Sequence, residues 1–397
     1  MCPLVSVVIP AYNREKTILR ALNSVLKQTY SNIEVIVVDD GSTDSTAQIV
    51  DNCADERVRL ICLSRNQGAN RARNRGISEA KGEYIAFQDS DDEWLTDKLE
   101  KQLAYMFKIS AKAVYCPYIL YDEGKACIVP KNYMNQDICE KNVAEVLKRD
   151  NIVGTPTLII KRELFFKIGM FDVDMKRLQD YEFVIRLVKN ERLAYIQEPL
   201  VKAYRMEQSI TSNRHLVLEA YTKILEKHSD FVDINTVFRR YLWNAEALWN
   251  GQIHWSEFDK IIELISKSEK GITREECYKT AIQYFYDQDW MKMKVLTDWY
   301  LTFRDNLKAE EFAIYGAGMW GQEAYYAMKK ENYIPKCFVV TEQENETTID
   351  GIPVKTLAKQ EDLEMPVMIA VSWEKQNELI KNLVHKGMYR FCIYPFG

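Results

Sequence analysis

Residues 82–94 read G-E-Y-I-A-F-Q-D-S-D-D-E-W, and the fold prediction starts from this stretch. Its apolar run, 84–87, is flanked by polar residues and is too short for a typical helix, which favours a buried strand. The strand leads directly into an acidic cluster of Asp89, Asp91 and Asp92. Neighbouring carboxylates repel one another, so they need either open water or a bound cation. Mg²⁺ and Mn²⁺ prefer hard oxygen ligands of this kind, and a solvated acidic turn is the alternative.

The composition indicates a chain with several folded domains and no general affinity for nucleic acid. A chain of 397 residues, 47% apolar, predicts two or three domains, and its net charge of -5 argues against a nucleic-acid partner. Nine scattered cysteines without a C-x-x-C pair argue against zinc and fit a reducing cytosol. Neither a signal peptide nor a membrane-length apolar run is found, so we expect a cytoplasmic protein. Peripheral contact with the inner face of the membrane stays open, as does a homo-oligomeric state.

Strand and helix patterns alternate through the first 90 or so residues. The predicted strands are 4–9, 33–38, 58–63 and 84–87, and the predicted helices between them are 17–26, 46–53 and 69–78. This alternation predicts a parallel sheet with right-handed crossovers, on which ligands bind at the carboxyl ends of the strands. Three strands end in polar residues, at 12–13, 39–40 and 89–92. We expect all three groups to meet on one edge of the sheet.

Four motifs follow these four strands in order. They are P-A-Y-N-R at 10–14, V-D-D-G-S-T-D at 38–44, N-Q-G-A-N-R-A-R-N-R-G at 66–76 and F-Q-D-S-D-D-E-W at 87–94. Together they closely resemble the family 2 glycosyltransferases, over about the first 210 residues. The resemblance implies an α/β fold with an N-terminal GT-A domain built on one mixed central sheet. It also implies a nucleotide-sugar donor, most often a UDP-sugar, and a divalent metal, Mn²⁺ or Mg²⁺.

The resemblance assigns the first two motifs to the nucleoside. Pro10, Ala11 and Tyr12 correspond to the wall around it, with Tyr12 near the uracil. Asp40 corresponds to the carboxylate that reads the uracil imide N–H, and Asp39 is its neighbour. Without the family, Tyr12 could simply pack at a strand end, and the two aspartates could belong to an ordinary turn with helix caps.

The last two motifs correspond to the diphosphate and the metal. Arg73 is expected to hold the nucleotide or its diphosphate, because a cation suits a dianionic leaving group. Asp91 and Asp92 correspond to the pair that binds the ribose and the metal, with Asp92 the preferred metal ligand. Asp89 also fits a D-x-D pattern with Asp91, so the division of roles among the three stays open. A solvated helix face is the alternative for the arginines, and it is preferred for Arg71 and Arg75.

Asp180 is the candidate general base. It sits just before a helical pattern, so a helix cap or first-turn acid is the plain alternative. The family context is G-x-F-D followed by E-D-x-E-F, and this chain has Gln179 where Glu is common. The resemblance implies that Asp180 takes a proton from a hydroxyl of a glycan or lipid-linked glycan acceptor, with inversion of the donor sugar. We expect Asp180 and Asp92 to face each other across a gap wide enough for a sugar ring.

The remaining sequence predicts further domains. The predicted division is 1–212, 213–308 and 309–397, with a helical middle region and a small Rossmann-like α/β domain at the end. Aromatic residues in the middle region fit core packing, and an acceptor groove or a partner surface is the alternative. The last part has G-x-G-x-x-G at 316–321 between a strand and a helix, so it either binds a nucleotide or only packs closely. The Tyr325-to-Lys329 spacing is interpreted as helix surface.

Two roles are weighed for the chain as a whole. One is an inverting, metal-dependent glycosyltransferase in the assembly of a surface polysaccharide. The other is a non-catalytic nucleotide-sugar sensor or scaffold. Retention of both the acidic cluster and Asp180 favours the enzyme. Arg205, in a Y-R-x-x-x-S-x-T segment, is a candidate for either a phosphate contact or a salt bridge.

Overall fold

A computed structural model describes residues 2–122, 124–130, 143–205, 214–249, 255–267, 273, 276–277, 280–281, 311–341, 347–356, 365–386 and 391–394. The chain forms two compact units, Met1–Val237 and Phe238–Gly397. The predicted boundaries at 212 and 308 stay a prediction. Within the described ranges, no helix is both long and apolar enough to cross a bilayer.

Among its described residues, the first unit contains eleven strands and eight complete α-helices, besides a short 3-10 helix at Thr155–Thr157. The strands are β1 Val5–Ala11, β2 Ile33–Asp39, β3 Val58–Cys62, β4 Tyr84–Phe87, β5 Glu93–Trp94, β6 Ala113–Tyr115, β7 Tyr118–Asp122, β8 Lys125–Val129, β9 Ile159–Lys161, β10 Leu193–Tyr195 and β11 Val201–Tyr204. The helices are α1 Ile18–Leu26, α2 Thr46–Asp51, α3 Ala69–Glu79, α4 Lys98–Lys108, α5 Val143–Leu147, α6 Glu163–Ile168, α7 Gln179–Asn190 and α8 Arg214–His228.

A seven-stranded mixed sheet forms the centre of this unit, as predicted. Its order is β10-β6-β9-β4-β1-β2-β3. β1 lies between β4 and β2 and is parallel to both, and β9 is antiparallel to its neighbours. All seven residues of β1 are buried, which explains its nearly continuous apolar sequence. The carboxyl ends of β1, β2 and β4 therefore lie side by side.

A second, four-stranded sheet with the order β5-β11-β7-β8 positions the acidic cluster. β5 follows the cluster directly and pairs antiparallel with β11 through Trp94 and Val201. The cluster is thus held at both ends, by β4 of the large sheet and by β5 of the small one. Trp94 is buried and donates from its indole N–H to the Pro156 carbonyl, 3.1 Å away.

Helix α3 packs very closely on the large sheet. A Cβ on Gly76 would overlap the Cγ1 atom of Val8 on β1. This close approach buries Arg73 on the sheet side of α3, whereas Arg71 and Arg75 are exposed. The solvated-face interpretation is therefore right for Arg71 and Arg75 and wrong for Arg73.

The second unit contains helices α10 Trp255–Lys267, α11 Met319–Lys330 and α12 Trp373–His385, and α9 Ile234–Trp249 spans the boundary between the units. Its strands are β12 Ala313–Tyr315, β13 Cys337–Val340, β14 Thr348–Ile349, β15 Ile352–Thr356, β16 Val367–Ile369 and β17 Phe391–Ile393, in the order β14-β15-β13-β12-β16-β17. All strand pairs except β14 with β15 are parallel.

Two glycines of the G-x-G-x-x-G loop serve close packing. A Cβ on Gly316 would overlap the Ala370 carbonyl oxygen, and one on Gly321 would overlap the Gly316 carbonyl oxygen, whereas one on Gly318 would meet open space. Nucleotide binding by this loop stays a prediction. The surface interpretation of Tyr325 is wrong, because its ring is buried in the core and its hydroxyl donates to Asp350 at 3.3 Å.

Candidate active site

A polar cleft of about 530 Å³ opens where β1, β2 and β4 end and α3 begins. Its size falls in the range of ligand pockets, roughly 300–1,000 Å³. The lining residues come from all four sequence motifs and from the start of α7 with the residues just before it; they are Pro10, Ala11, Tyr12, Asn13, Arg14, Asp40, Asn66, Gly68, Ala69, Ala72, Arg73, Asp89, Ser90, Asp91, Arg177 and Gln179. The expected convergence of strand ends on one edge is therefore present.

The loops after β1 and β2 are fastened to each other by Asn13. This residue has a left-handed backbone, with φ of 52°, a conformation that asparagine tolerates better than most residues. Its side-chain oxygen accepts the Thr43 N–H at 2.9 Å, and its own N–H donates to the Ser42 hydroxyl at 2.9 Å. The pair of loops leaves Tyr12 39% exposed at the cleft, so Tyr12 is not simply packed at a strand end.

Asp40 faces the cleft and is buried. Its two carboxylate oxygens accept the backbone N–H groups of Gln67 and Gly68, at 2.8 and 2.7 Å. Burial raises the pKa of Asp40, and those two N–H groups oppose the rise. Asp39 does not line the cleft. Its Oδ2 accepts the Ser42 N–H at 3.1 Å, and its buried Oδ1 has no hydrogen-bond partner among the described residues.

Arg73 ties helix α3 to the acidic cluster. Its Nη2 lies 2.8 Å from Oδ1 of Asp89, and its Nη1 donates to Asn70 Oδ1 at 3.4 Å. Asn70 in turn donates to the carbonyls of Asp172 and Met175, at 2.7 and 2.8 Å. The same helix therefore anchors the acidic cluster and the loop that leads to α7.

The three carboxylates of the acidic cluster are not equivalent. Asp89 and Asp91 line the cleft, whereas Asp92 is buried and accepts the Tyr204 N–H at 3.1 Å. Burial, followed by the charge of Asp89, raises the pKa of Asp91, and Arg14, 3.5 Å away, opposes the rise. Burial and the charges of Asp89 and Asp91 raise the pKa of Asp92 well above its usual value.

The donor chemistry of the acidic cluster suits a divalent cation. Its carboxylates are costly to keep ionised without added positive charge, as the raised pKa values of Asp91 and Asp92 show. Among the described residues, no three Asp, Glu, His or Cys side chains converge to hold a metal by themselves. Mg²⁺ usually takes only one or two carboxylates together with substrate phosphates and water. Two cluster carboxylates and a diphosphate would meet that need.

Asp180 lies in the first turn of α7, one residue after the helix begins, and not before the helix as expected. Its Oδ1 accepts the Asn151 side-chain N–H at 3.0 Å and the Tyr181 backbone N–H at 2.8 Å. Burial raises the pKa of Asp180, while Tyr181 N–H, Arg73 and Arg177 oppose the rise. Asp180 is not one of the cleft-lining residues, but Gln179 beside it is.

Tyr118 lies near both Asp180 and Asp92. Burial, followed by the charges of these two aspartates, raises the pKa of its phenol. The two carboxylates therefore act on one side chain at the start of β7 in the small sheet. The expectation that they face each other across a sugar ring stays a prediction.

Several residues of this site were not singled out from the sequence. Arg14 and Asn13 were within the quoted P-A-Y-N-R motif, which could have indicated them. Asn151 and Arg177 belong to no quoted motif. Arg205 forms an ion pair with Asp122 at 3.2 Å, and the rest of its motif, 206–211, lies outside the described residues.

Comparisons with known proteins agree with this picture. The family model "Glycosyl transferase family 2" matches residues 6–167. The chain is 33% identical over 255 residues to the "Putative teichuronic acid biosynthesis glycosyltransferase TuaG" of Bacillus subtilis (strain 168), with 61% of this chain and 96% of that protein covered. It is 35% identical over 240 residues to the "UDP-Glc:alpha-D-GlcNAc-diphosphoundecaprenol beta-1,3-glucosyltransferase WfgD" of Escherichia coli, with 60% and 90% covered.

Solved structures share the fold. S. aureus TarS 1-349, solved in complex with UDP-GlcNAc, matches with a TM-score of 0.51 at 18% identity, covering 87% of this chain and 95% of that one. A longer S. aureus TarS structure matches with a TM-score of 0.52 at 21% identity, and the match covers 73% of this chain and 54% of that chain.

Proposed function

The chain belongs to the family 2 glycosyltransferases, and from this premise we propose that it is an inverting transferase acting in surface polysaccharide assembly. It moves a sugar from a nucleoside diphosphate sugar, specifically a UDP-sugar, to a hydroxyl group of a glycan acceptor. The observation that carries the proposal is the polar cleft, which collects residues of all four motifs at the strand ends. Asp180 lies close enough to Arg73 and Asp89 of this cleft for their charges to affect its pKa.

The nucleoside is proposed to bind between the β1 and β2 loops. Tyr12, exposed at the cleft, offers its ring to the uracil beside Pro10 and Ala11. Asp40 has lone pairs left after accepting two backbone N–H groups, because each carboxylate oxygen can accept more than one hydrogen bond. One of these accepts the uracil imide N–H. Asp39 stabilises the loop after β2 by accepting the Ser42 N–H.

The diphosphate is proposed to lie over the acidic cluster. Arg73 and Arg14, each paired with a cluster carboxylate, place two fixed positive charges at this part of the cleft. Asp91 with Asp92 or Asp89 would hold Mn²⁺ or Mg²⁺, which when bound supplies positive charge to the oxygens of the leaving diphosphate. Fixed charges aimed at a developing negative charge lower the barrier, because they need no reorganisation during the reaction.

Asp180 is proposed to act as the general base. Its Oδ1 is occupied by two N–H donors, so Oδ2 receives the proton from the acceptor hydroxyl. The acceptor oxygen forms a bond to the anomeric carbon while the bond to the diphosphate breaks on the opposite face. The anomeric configuration is therefore inverted, and an α-linked donor gives a β-linked product. WfgD, a relative at 35% identity, is named a beta-1,3-glucosyltransferase with a UDP-Glc donor.

The acceptor is proposed to be a lipid-linked glycan at the inner face of the membrane. TuaG is named for teichuronic acid biosynthesis and WfgD for a diphosphoundecaprenol acceptor, and these two proteins are covered to 96% and 90% of their lengths. Because a lipid-linked acceptor is anchored in the membrane, an enzyme that uses it must contact the membrane surface. The division into GT-A, helical and Rossmann-like domains belongs to the same proposal.

UDP release from a panel of UDP-sugars with Mn²⁺ tests the proposal. The side-chain oxygen of the Asp180→Asn variant can still accept the hydrogen bonds from Asn151 and Tyr181, but the amide cannot take a proton. We expect it to bind UDP like the wild type and to lose about 10²–10⁴-fold in transfer rate. Asp174→Asn, the same change at an exposed position in the preceding loop, is the matched control and should behave like the wild type.

The outcomes separate the enzyme from a scaffold. Equal rates for wild type and Asp180→Asn would show that Asp180 is not the base. UDP binding without turnover of any donor in the panel, in the presence of membranes carrying lipid-linked glycans, would favour a non-catalytic sensor. A retained anomeric configuration in the product would overturn the inverting mechanism.

A further inference from the structure

We propose that Asn151 is the positioning residue of the general base: its side-chain amide fixes Asp180 so that one carboxylate oxygen points to the acceptor. The inference rests on the proposed function, because it takes Asp180 as the base. The carrying observation is the hydrogen bond from Asn151 Nδ2 to Asp180 Oδ1, 3.0 Å long, between residues 29 positions apart.

The orientation of the Asn151 amide follows from its second contact. Its Oδ1 accepts the backbone N–H of Val153 at 3.2 Å, which forms a local turn. Because the oxygen end is committed to that turn, the NH₂ end must face Asp180. An ionised carboxylate accepts hydrogen bonds and donates none, so two N–H donors on Oδ1 are compatible with the ionised base.

Two donors on one oxygen fix the direction of the Asp180 carboxylate. The Tyr181 backbone N–H reaches the same Oδ1 at 2.8 Å, from within the first turn of α7. This N–H alone would leave the carboxylate plane free to turn about the contact. The Asn151 amide arrives from a different chain segment and supplies the second fixed point. Oδ2 is then left for the acceptor hydroxyl.

The charges of groups on other elements also act on Asp180. Arg73 comes from α3, Arg177 from the segment before α7, Asp89 from the acidic cluster and Tyr118 from β7. Coulombic attraction and repulsion change slowly with angle, whereas a hydrogen bond weakens steeply when it bends. A hydrogen bond such as that from Asn151 is thus better suited than a charge–charge interaction to orient the base.

The segment that carries Asn151 is held independently of this hydrogen bond. The Tyr181 hydroxyl donates to the Leu147 carbonyl at 2.7 Å, which fastens the end of α5 to α7. On the other side, the Gln102 side chain of α4 donates to the Thr157 carbonyl at 2.9 Å. A change at Asn151 can therefore remove the contact to Asp180 without freeing the segment.

The test compares Asn151→Ser with Asn151→Ala. A serine hydroxyl still accepts the Val153 N–H, although more weakly, but it is too short to reach Asp180. We expect both variants to lower kcat for UDP release by about 10- to 100-fold, as for other small displacements of a catalytic group, with little change in the KM of the UDP-sugar. The substrate is UDP-Glc or UDP-GlcNAc, whichever the wild type turns over. Asn190→Ser, at the exposed end of α7, is the control and should match the wild type.

A double-mutant cycle shows whether Asn151 acts through Asp180. In the Asp180→Asn background, Asn151→Ser should cost nothing further, because the group that it positions is already lost. A full additional loss in the double variant would overturn the proposal. So would a wild-type kcat for Asn151→Ser with a loss for Asn151→Ala, which would assign Asn151 to the turn alone. If Asp180→Asn itself kept full activity, the proposed base would fail, which is a different result from either of these.

Discussion

The guanidinium of Arg73 lies 2.8 Å from the carboxylate of Asp89, and this ion pair joins helix α3 to the acidic cluster after β4. The Arg73 side chain is 5% exposed and that of Asp89 is 29% exposed. Removing one partner of a pair that is this buried costs more than breaking an ordinary surface pair, whose contribution is about 0–1 kcal/mol, because the remaining charge loses its counterion. It also orders the cleft floor, since Arg73 further contacts Asn70.

Replacing Arg73 should therefore damage both stability and activity. We expect Arg73→Ala to lower the free energy of unfolding by about 1–3 kcal/mol, because it leaves Asp89 beside Asp91 without its cation. UDP release should fall by more than about 100-fold, as one cation at the leaving group is lost. Urea unfolding and a UDP-release assay measure the two effects. Arg71→Ala, exposed on the same helix, should change the stability by less than about 0.5 kcal/mol.

Asp40→Asn should weaken UDP binding. The Gln67 and Gly68 N–H groups each use a different Asp40 oxygen, and in Asn one of these oxygens becomes an NH₂ donor that faces an N–H group. Loss of one such hydrogen bond costs about 0.5–1.5 kcal/mol, and we expect a comparable loss of folding stability. The Kd for UDP should rise roughly tenfold, and calorimetric titration measures it. An unchanged Kd would remove Asp40 from the nucleoside site, and Asp51→Asn on the exposed end of α2 is the control.

Asp92→Asn should stabilise the metal-free protein near neutral pH. Burial and the charges of Asp89 and Asp91 raise the pKa of Asp92 above its unfolded value, so the folded state binds the proton more tightly. The metal-free protein then loses stability as the pH rises from the unfolded pKa through the folded one. The Asn side chain still accepts the Tyr204 N–H but carries no charge. With EDTA present, the Tm of Asp92→Asn should exceed that of the wild type by about 2–4 °C for each 1 kcal/mol of unfolding free energy gained.

The same variant should lose its response to metal. Mn²⁺ should raise the Tm of the wild type more near neutral pH than in acid, where protons compete for the carboxylates, and should raise that of Asp92→Asn less. A variant that melts below the wild type in EDTA near neutral pH would contradict the linkage argument. Asp174→Asn, an exposed carboxylate, checks that the effect is not one of net charge.

Gly76→Ala should lift α3 from the sheet. The added methyl group would overlap Val8 Cγ1 on β1, which is fully buried and cannot move aside. Overpacking of this kind costs about 1–3 kcal/mol, more than the gain in helix propensity of about 1 kcal/mol. We expect a lower midpoint in urea and a loss of activity, since Arg73 lies on the same helix. Val8→Ala combined with Gly76→Ala should restore part of both losses, and no restoration would place the defect elsewhere.

Local sequence patterns were sufficient to predict four strands of the large sheet and the edge at which the cleft opens. The strands at 84–87 and 33–38 were found because strand length and hydrophobic pattern are local properties, and the structure has them as Tyr84–Phe87 and Ile33–Asp39. The polar residues after β1, β2 and β4 predicted a common edge, because parallel strands must end together. The motif resemblance supplied the family, and the relatives confirmed it.

Which groups touch depends on how distant elements pack. The bonds from Asn151 to Asp180 and from Arg14 to Asp91 join segments 29 and 77 positions apart in the sequence, and no local pattern sets their length. The fold also places the three cluster carboxylates differently. Asp92 is buried and accepts the Tyr204 N–H, whereas Asp89 and Asp91 line the cleft. Burial and hydrogen-bond direction depend on how distant elements pack. A sequence can therefore indicate the carboxylates, but the fold determines their charge and orientation.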